Sequence, residues 1–102
     1  MKLRWTERAR RDLLSIARYI ERDNLAAARR WVGRLREGAR AAARRPLAGR
    51  VVPEVGRRDV REVLIGNYRL VYRVHRNAID VLTVFEGHRL FSIEDVDSQH
   101  ED

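Results

Sequence analysis

Three apolar runs between residues 60 and 91 constrain the fold of this chain more than any other feature. They are Val60–Ile65, Tyr68–Val74 and Ala78–Phe85. Gly66-Asn67, between the first two, is typical of a two-residue β-hairpin turn, because glycine takes a positive φ at no steric cost and asparagine tolerates it. Arg76-Asn77 marks a weaker turn before the third run. The pattern therefore predicts a three-stranded antiparallel meander.

The middle run assigns its side chains to two faces, because successive side chains of a β-strand point to opposite sides of the sheet. A half-buried strand turns its apolar residues to the core. We expect one face of this strand to be core and the other to carry arginines. The core face holds Tyr68, Leu70, Tyr72 and Val74, and the other holds Arg69, Val71, Arg73 and His75.

Two helices are predicted before the meander. Lys2–Trp5 is a short extended segment that we expect to join the sheet, and Thr6 after it is a typical N-cap residue. Apolar residues at helical spacing then predict a helix to about Asp23. A second apolar stripe predicts a helix that is capped by Asp23 or Asn24 and ends near Arg45. Because the turn between them is short, the two helices should form an antiparallel hairpin.

The predicted order of elements is β-α-α-β-β-β. This is an α+β fold in which a helical hairpin packs on one face of a small antiparallel sheet. We expect residues 47–59 to be a loop and residues 1–93 to form a single domain. Residues 94–102 contain five acids and no lysine or arginine, and we expect them to form a flexible tail.

Composition excludes several classes of site. The chain has no cysteine, which rules out disulfides, thiolate metal sites and cysteine nucleophiles. Its three histidines lack ligand spacing on one element, and it has no glycine-rich phosphate-binding motif, so we predict no metal and no cofactor. No apolar run approaches the roughly 20 residues that span a bilayer. We therefore expect a cytoplasmic protein with no membrane partner.

Charge is distributed unevenly along the chain. The formal net charge is +7, and residues 1–50 carry +10 whereas residues 51–102 carry −3. Of the 22 basic residues all but Lys2 are arginine, whose planar guanidinium pairs well with phosphate and carboxylate groups. Two interpretations stay open at this point: a face that binds polyanions, or solvated helix faces whose arginines reflect the base composition of the genome.

The order of elements and the string GNYRLVYRV at Gly66–Val74 resemble the RelE/ParE superfamily of bacterial toxins. Further shared markers are the Thr-x-x-Ala helix start at Thr6, the Arg61-Glu62 pair and the Gly-x-Arg end of the last strand at Gly87–Arg89. The resemblance spans about residues 3–91. It implies the toxin half of a type II toxin–antitoxin pair, with a cognate antitoxin protein as partner.

Members of this superfamily have one of two activities. ParE-like toxins bind and inhibit DNA gyrase, whereas RelE-like toxins are endoribonucleases that cut messenger RNA on the ribosome. Cleavage through the RNA 2′-OH needs a base, positive charge on the phosphate and an acid for the leaving oxygen. The resemblance assigns Arg69 and Arg89 to the phosphate. Arg61 could add a third guanidinium, and His88 is the candidate acid or base.

The C-terminal segment favours the ParE-like activity. RelE-like enzymes often place a tyrosine, or a histidine and a tyrosine, in this segment. Here residues 90–102 contain no tyrosine and are acidic, which would repel RNA. We therefore predict a gyrase inhibitor. A ribosome-dependent nuclease that blocks translation is the alternative, and an interaction module without toxicity is a third class.

The end of the last strand is the predicted contact with gyrase. It comprises His88, Arg89, Leu90 and Phe91, and we expect one of the two apolar residues to be buried and the other exposed. A structural interpretation of His88, as a cap on the strand end, stays open. Truncation after Arg89 is expected to weaken target binding more than stability.

Helix arginines are the predicted contact with the antitoxin. Arg29, Arg36 and Arg40 should attract an acidic, amphipathic segment that folds when it binds in a groove between helices and sheet. For Arg69 a functional and a structural interpretation have equal weight. Because it should face away from the core, we expect its replacement by alanine to leave the domain folded. Arg61 has a structural interpretation as part of a solvated strand face.

Overall fold

The computed structural model describes residues 1–89 and 91–94. Leu90 and residues 95–102 lie outside the described part, and with them the predicted target contact of Leu90 and all of the predicted tail except Glu94. Seven elements follow one another along the chain. They are β1 (Lys2–Trp5), α1 (Glu7–Glu21), α2 (Leu25–Arg44), β2 (Arg50–Val51), β3 (Val60–Ile65), β4 (Tyr68–Val74) and β5 (Ala78–Glu86).

The strands form one five-stranded sheet in the order β1-β5-β4-β3-β2. Antiparallel pairing of β3 with β4 and of β4 with β5 confirms the predicted meander. Gly66 has a φ of +59°, and no other residue type in the described chain has a positive φ. A positive φ at only the first central residue is typical of a type II′ hairpin turn.

The sheet is mixed, and the expectation of a purely antiparallel sheet is therefore wrong. β1 lies parallel to β5, from the Lys2–Ala78 pair to the Trp5–Val81 pair. The chain leaves β1 through both helices before it returns, and such a helical crossover is long enough to join parallel strands. A second difference is β2, which pairs with Arg61 and Glu62 inside the region that was expected to be a loop.

Both helices begin at the predicted caps. The Thr6 hydroxyl accepts the N–H of Ala9 at 3.1 Å and donates to the carbonyl of Val81 at 2.8 Å, so it also ties α1 to β5. For α2 the cap is Asn24, whose side-chain oxygen accepts the N–H of Ala27 at 2.9 Å. None of the helices in the described residues is long and apolar enough to cross a membrane.

The main core lies between the helices and the sheet. Tyr68, Leu70, Tyr72 and Val74 all pack into it, which confirms the predicted inner face of β4. The Tyr72 hydroxyl is satisfied by donating to the carbonyl of Pro46 at 2.7 Å. The helices contribute small and branched side chains, which let them approach the sheet closely. These are Ala9, Leu13, Leu35, Ala39, Ala42 and Ala43.

A second apolar cluster covers part of the opposite face, which we call the outer face. The expectation that this face carries only arginines is therefore incomplete. Residues after β2 and after β5 fold over the middle of the sheet and bury its valines. The cluster comprises Val52, Val60, Val71, Leu82 and Phe91. A register shift opposite Val71 and Tyr72 accompanies the placement of Leu82 in this cluster.

Candidate functional site

Arg69 is buried on the outer face of β4, where 5% of its surface is exposed. Its Nε donates to Oε1 of Glu62 at 2.7 Å. Its two terminal nitrogens donate to the two carboxylate oxygens of Glu54, each at 2.8 Å. The guanidinium carbon also lies 5.1 Å from the centre of the Phe85 ring. All three guanidinium nitrogens of this arginine are therefore engaged with carboxylates inside the protein.

Arg50 extends these contacts to four charged side chains. Its Nε donates to Oε2 of Glu62, which is itself 1% exposed. We call Arg50, Glu62, Arg69 and Glu54 the charge network. It contains two cations and two anions, and a buried ion is tolerated only when it is paired and hydrogen-bonded in this way. The network joins β2, β3 and β4 to the segment between β2 and β3.

The charge network has consequences for ionisation. Hydrogen bonds from Arg69 lower the pKa of Glu54 from 4.5 to about 2, although burial of the carboxyl group opposes the shift. The hydrogen bonds that Arg69 donates to Glu54 raise the pKa of Arg69, with a further contribution from those to Glu62. Both shifts favour the charged forms. Arg69 therefore acts as a permanent cation whose charge is balanced by its own neighbours.

Arg69 faces away from the helix-side core, as expected, but it is not exposed to solvent. Alternation along β4 does turn its side chain away from the helices, but the second apolar cluster and the charge network cover it there. Arg61 is also occupied, because it donates to the carbonyls of Arg58 at 3.0 Å and Gly49 at 2.9 Å. It is half-buried and holds the chain before β2 against β3.

His88 and Arg89 are exposed at the end of β5, on two different sides. The His88 side chain is 78% exposed, and its Nε2 lies 3.6 Å from Oε2 of Glu86. It lines a shallow cleft of about 480 Å³ at the hairpin end of the outer face, with Leu64 and Arg69 among the other lining residues. Arg89 instead lines a crevice against α1. Of the four predicted catalytic residues, His88 and Arg69 both line this cleft.

Phe91 is the buried member of the predicted apolar pair. It is 8% exposed, and its ring stacks on Phe85 with 5.8 Å between centroids and 9° between planes. Its backbone N–H donates to Oε2 of Glu54 at 3.3 Å. These contacts place Phe91 in the second apolar cluster, so we expect truncation after Arg89 to lower stability as well as target binding.

Arg36, one of the three predicted antitoxin arginines, lines an apolar groove between the helices. The groove has a volume of about 420 Å³ and is lined by Trp5, Leu13, Leu14, Ala17 and Val32, with Arg10 and Arg36 as its charged residues. Half of the Leu14 surface is exposed. Spacings of seven and four residues put Arg29, Arg36 and Arg40 on one side of α2. All three are exposed, and Arg40 pairs with Glu37.

Three residues of the charge network, Arg50, Glu54 and Glu62, were absent from the sequence-based candidates. Glu62 alternates onto the same face as Arg69 on the neighbouring strand, so strand pairing could have indicated it. Glu54 follows a proline in an irregular segment, where no periodicity places a side chain. In the described part of the chain, no group of three or more histidine, aspartate or glutamate residues could hold a metal ion.

Acid is expected to destabilise the protein through Glu54. Because its folded-state pKa lies below the ordinary value, its contribution is present above pH 4.5 and lost as the pH falls towards 2. After allowance for partial solvent screening, we expect a loss of about 2 kcal/mol in unfolding free energy. Urea unfolding between pH 7 and pH 2 measures it. Glu54→Gln should flatten this part of the profile, and an unchanged profile would contradict the assignment.

A helical hairpin packed on a mixed sheet that ends in a meander is the arrangement expected from the resemblance to the RelE/ParE superfamily. Residues 3–91 match the family model described as "ParE toxin of type II toxin-antitoxin system, parDE". The chain belongs to the ParE toxin family of type II toxin–antitoxin systems.

Two known proteins illustrate the relationship. A Sinorhizobium fredii protein called "Putative toxin Y4kP" is 37% identical over 91 residues, which cover 86% of this chain and 90% of that protein. A solved structure described as "Chromosomal ParDE TA system from P. aeruginosa" is similar in fold, with a TM-score of 0.70 and 22% identity. The similarity covers 84% of this chain and 95% of that one. The α+β prediction is thus confirmed.

Proposed function

We propose that this ParE-family toxin inhibits bacterial growth by binding DNA gyrase. The observation that best supports binding over RNA cleavage is that the N–H groups of Arg69 are hydrogen-bonded inside the protein. A guanidinium that stabilises a phosphate in flight must offer free N–H groups to it. In this chain those groups are directed at Glu54 and Glu62 instead. Glu54 and Glu62 would also repel a phosphate group.

The alternative nuclease mechanism has less support for a second reason. Acid, base and cation must converge within hydrogen-bond reach of one scissile bond. His88 lies on the outer-face cleft, whereas Arg89 lies on the crevice beside α1. Arg61 holds backbone carbonyls. The four residues therefore do not converge on one site in the free toxin.

The proposed contact with gyrase is the exposed hairpin end of the sheet, including the cleft on its outer face. His88 offers a polar group on this cleft, and Leu64, which is 59% exposed, adds apolar surface on the cleft wall. Arg89 offers a cationic group on the crevice beside α1. A mixture of apolar and cationic side chains around a shallow cleft suits a protein surface better than a small molecule. The contact with gyrase would place the toxin in the cytoplasm.

Purified toxin added to gyrase in a DNA supercoiling assay tests this proposal. We expect inhibition by the toxin that is relieved by its antitoxin. Pulse-labelling of DNA and protein synthesis in cells after induction tests the alternative. An immediate arrest of translation with normal DNA synthesis, or messenger RNA cut on the ribosome, would support the RelE-like nuclease and overturn gyrase as the target.

For the antitoxin we propose the groove between the helices as the docking site. Its apolar floor suits the apolar face of an amphipathic helix, and the arginines along α2 suit acidic residues beside that face. The helix α2 carries six arginines and one glutamate. A disordered acidic segment would be attracted by this charge and would fold as it binds.

Reversing the charge of Arg29, Arg36 and Arg40 to glutamate should weaken the antitoxin complex. We expect the dissociation constant to rise about a hundredfold, mostly through slower association at low salt. Surface plasmon resonance at two salt concentrations measures both effects. The matched control replaces Lys2, Arg58 and Arg76 by glutamate, which changes net charge equally on exposed residues away from the groove. Equal weakening by both variants would contradict the groove as the docking site.

A further inference from the structure

The carboxylate of Glu54 links its own segment to two other parts of the chain. Oε2 accepts the Phe91 N–H at 3.3 Å and one Arg69 N–H at 2.8 Å, while Oε1 accepts a second Arg69 N–H at 2.8 Å. Arg69 belongs to β4, and Phe91 follows the end of β5. The Glu54 side chain thereby links the segment before β3 to β4 and to the segment after β5.

The backbone after β5 is fixed on both sides of residue 90. Nη1 of Arg69 reaches the carbonyl of Arg89 at 3.4 Å, and Glu54 holds the N–H of Phe91. The stacked rings of Phe91 and Phe85 anchor the same segment from its apolar side. Three contacts of different kinds therefore set the position of Arg89 and, next to it, of His88. A backbone hydrogen bond from the Gly87 N–H to the Asn67 carbonyl, at 2.7 Å, fixes the other end of this segment.

A bidentate arginine–carboxylate pair is well suited to this task. It fixes both distance and orientation, whereas a single hydrogen bond leaves rotation free. Arg69 is itself held by Glu62, which is almost fully buried in the middle of the sheet. These contacts therefore fix the position of the segment relative to the rigid strands β3 and β4. Binding surfaces are effective when a rigid scaffold supports them in this way.

We propose that Glu54 is a positioning residue for the target-binding surface. Through Arg69 and the Phe91 N–H it holds His88 and Arg89 in the arrangement that meets the target. Glu54 itself touches no target group in this proposal. The inference rests on the proposed function, because it assigns a role in gyrase binding to a residue that does not line the proposed contact.

Glu54→Gln tests the proposal, because glutamine has the same shape but lacks the charge that pairs with Arg69. We expect the concentration of full-length toxin that halves gyrase supercoiling activity to rise about tenfold. Affinity for the antitoxin should stay unchanged, since Glu54 does not line the groove between the helices. Circular dichroism at the assay temperature confirms that the variant is folded. Glu7→Gln, in an exposed carboxylate on α1, is the matched control.

Amide hydrogen exchange provides a readout that does not involve gyrase. In Glu54→Gln the Phe91 amide should exchange at least several-fold faster, while amides of β4 keep their protection. If wild-type toxin inhibits gyrase and Glu54→Gln inhibits equally, the positioning role is overturned and the proposed function stands. If wild-type toxin does not inhibit gyrase, the proposed function fails, and the role of Glu54 in target binding fails with it.

Discussion

Replacing Arg69 by alanine should destabilise the protein by about 3–5 kcal/mol, because it breaks the ion pair of the buried Glu62 carboxylate and removes the Arg69 partner of Glu54. Glu62 would keep only Arg50, and Glu54 would lose both hydrogen bonds from the guanidinium. Small domains have a total stability of about 5–15 kcal/mol, so such a loss removes a large part of it. Chemical denaturation followed by circular dichroism measures the change.

Two further variants separate lost pairing from lost packing. Adding Glu62→Gln to Arg69→Ala removes the charge of the buried carboxylate that has lost Arg69. We expect this second change to restore part of the lost stability. Arg89→Ala is the matched control, since the network uses the Arg89 carbonyl and its side chain is exposed. It should change stability by less than about 0.5 kcal/mol. Equal stability of Arg69→Ala and the wild-type chain would contradict the network.

Loss of toxicity in an Arg69 variant would therefore not identify a catalytic residue. A variant that unfolds loses binding to its antitoxin and also to its target. Arg69→Lys is more informative, because it keeps the positive charge and removes the planar fork. If the fork matters for positioning, this variant should keep antitoxin binding and lose target binding. The pair of measurements distinguishes a global effect from a local one.

Local patterns predicted most of the fold. The turn at Gly66-Asn67, the alternation along β4 and the caps at Thr6 and Asn24 are each determined by residues close in sequence. Such features follow from backbone conformation and hydrogen bonding to neighbouring groups. The helical hairpin follows in the same way from two apolar stripes and a short turn. All the elements except β2, and their order, could therefore be predicted without knowledge of the tertiary structure.

Features that depend on distant partners could not be predicted in this way. The two-residue strand β2 is too short for a period-2 pattern, and it is recognisable only by its pairing with β3. The parallel pairing of β1 depends on where the helices return the chain. Alternation correctly gave Arg69 its direction, but the cover on the outer face comes from residues 52–56 and from Phe91. Sequence periodicity carries no information on such a contact.

Truncation after Arg89 should lower the unfolding free energy by about 3–5 kcal/mol, the range for removing a large aromatic side chain from a core. It removes the Phe91 ring from its stack on Phe85 and exposes the valines of the second apolar cluster. It also deletes the N–H that Glu54 accepts. Denaturant unfolding of the two chains measures the difference.

Truncation after Glu94 is the control, because it removes the acidic residues 95–102 and keeps Phe91 and Ile93, which both pack on the second apolar cluster. We expect it to change stability by less than about 0.5 kcal/mol. Stability lost equally in both truncated chains would assign the effect to residues 95–102 and contradict a structural role for Phe91. If only the shorter chain is destabilised, its gyrase inhibition must be measured at a temperature where it stays folded. Inhibition lost under that condition would place the target contact in the segment that Glu54 and Phe91 hold against the sheet.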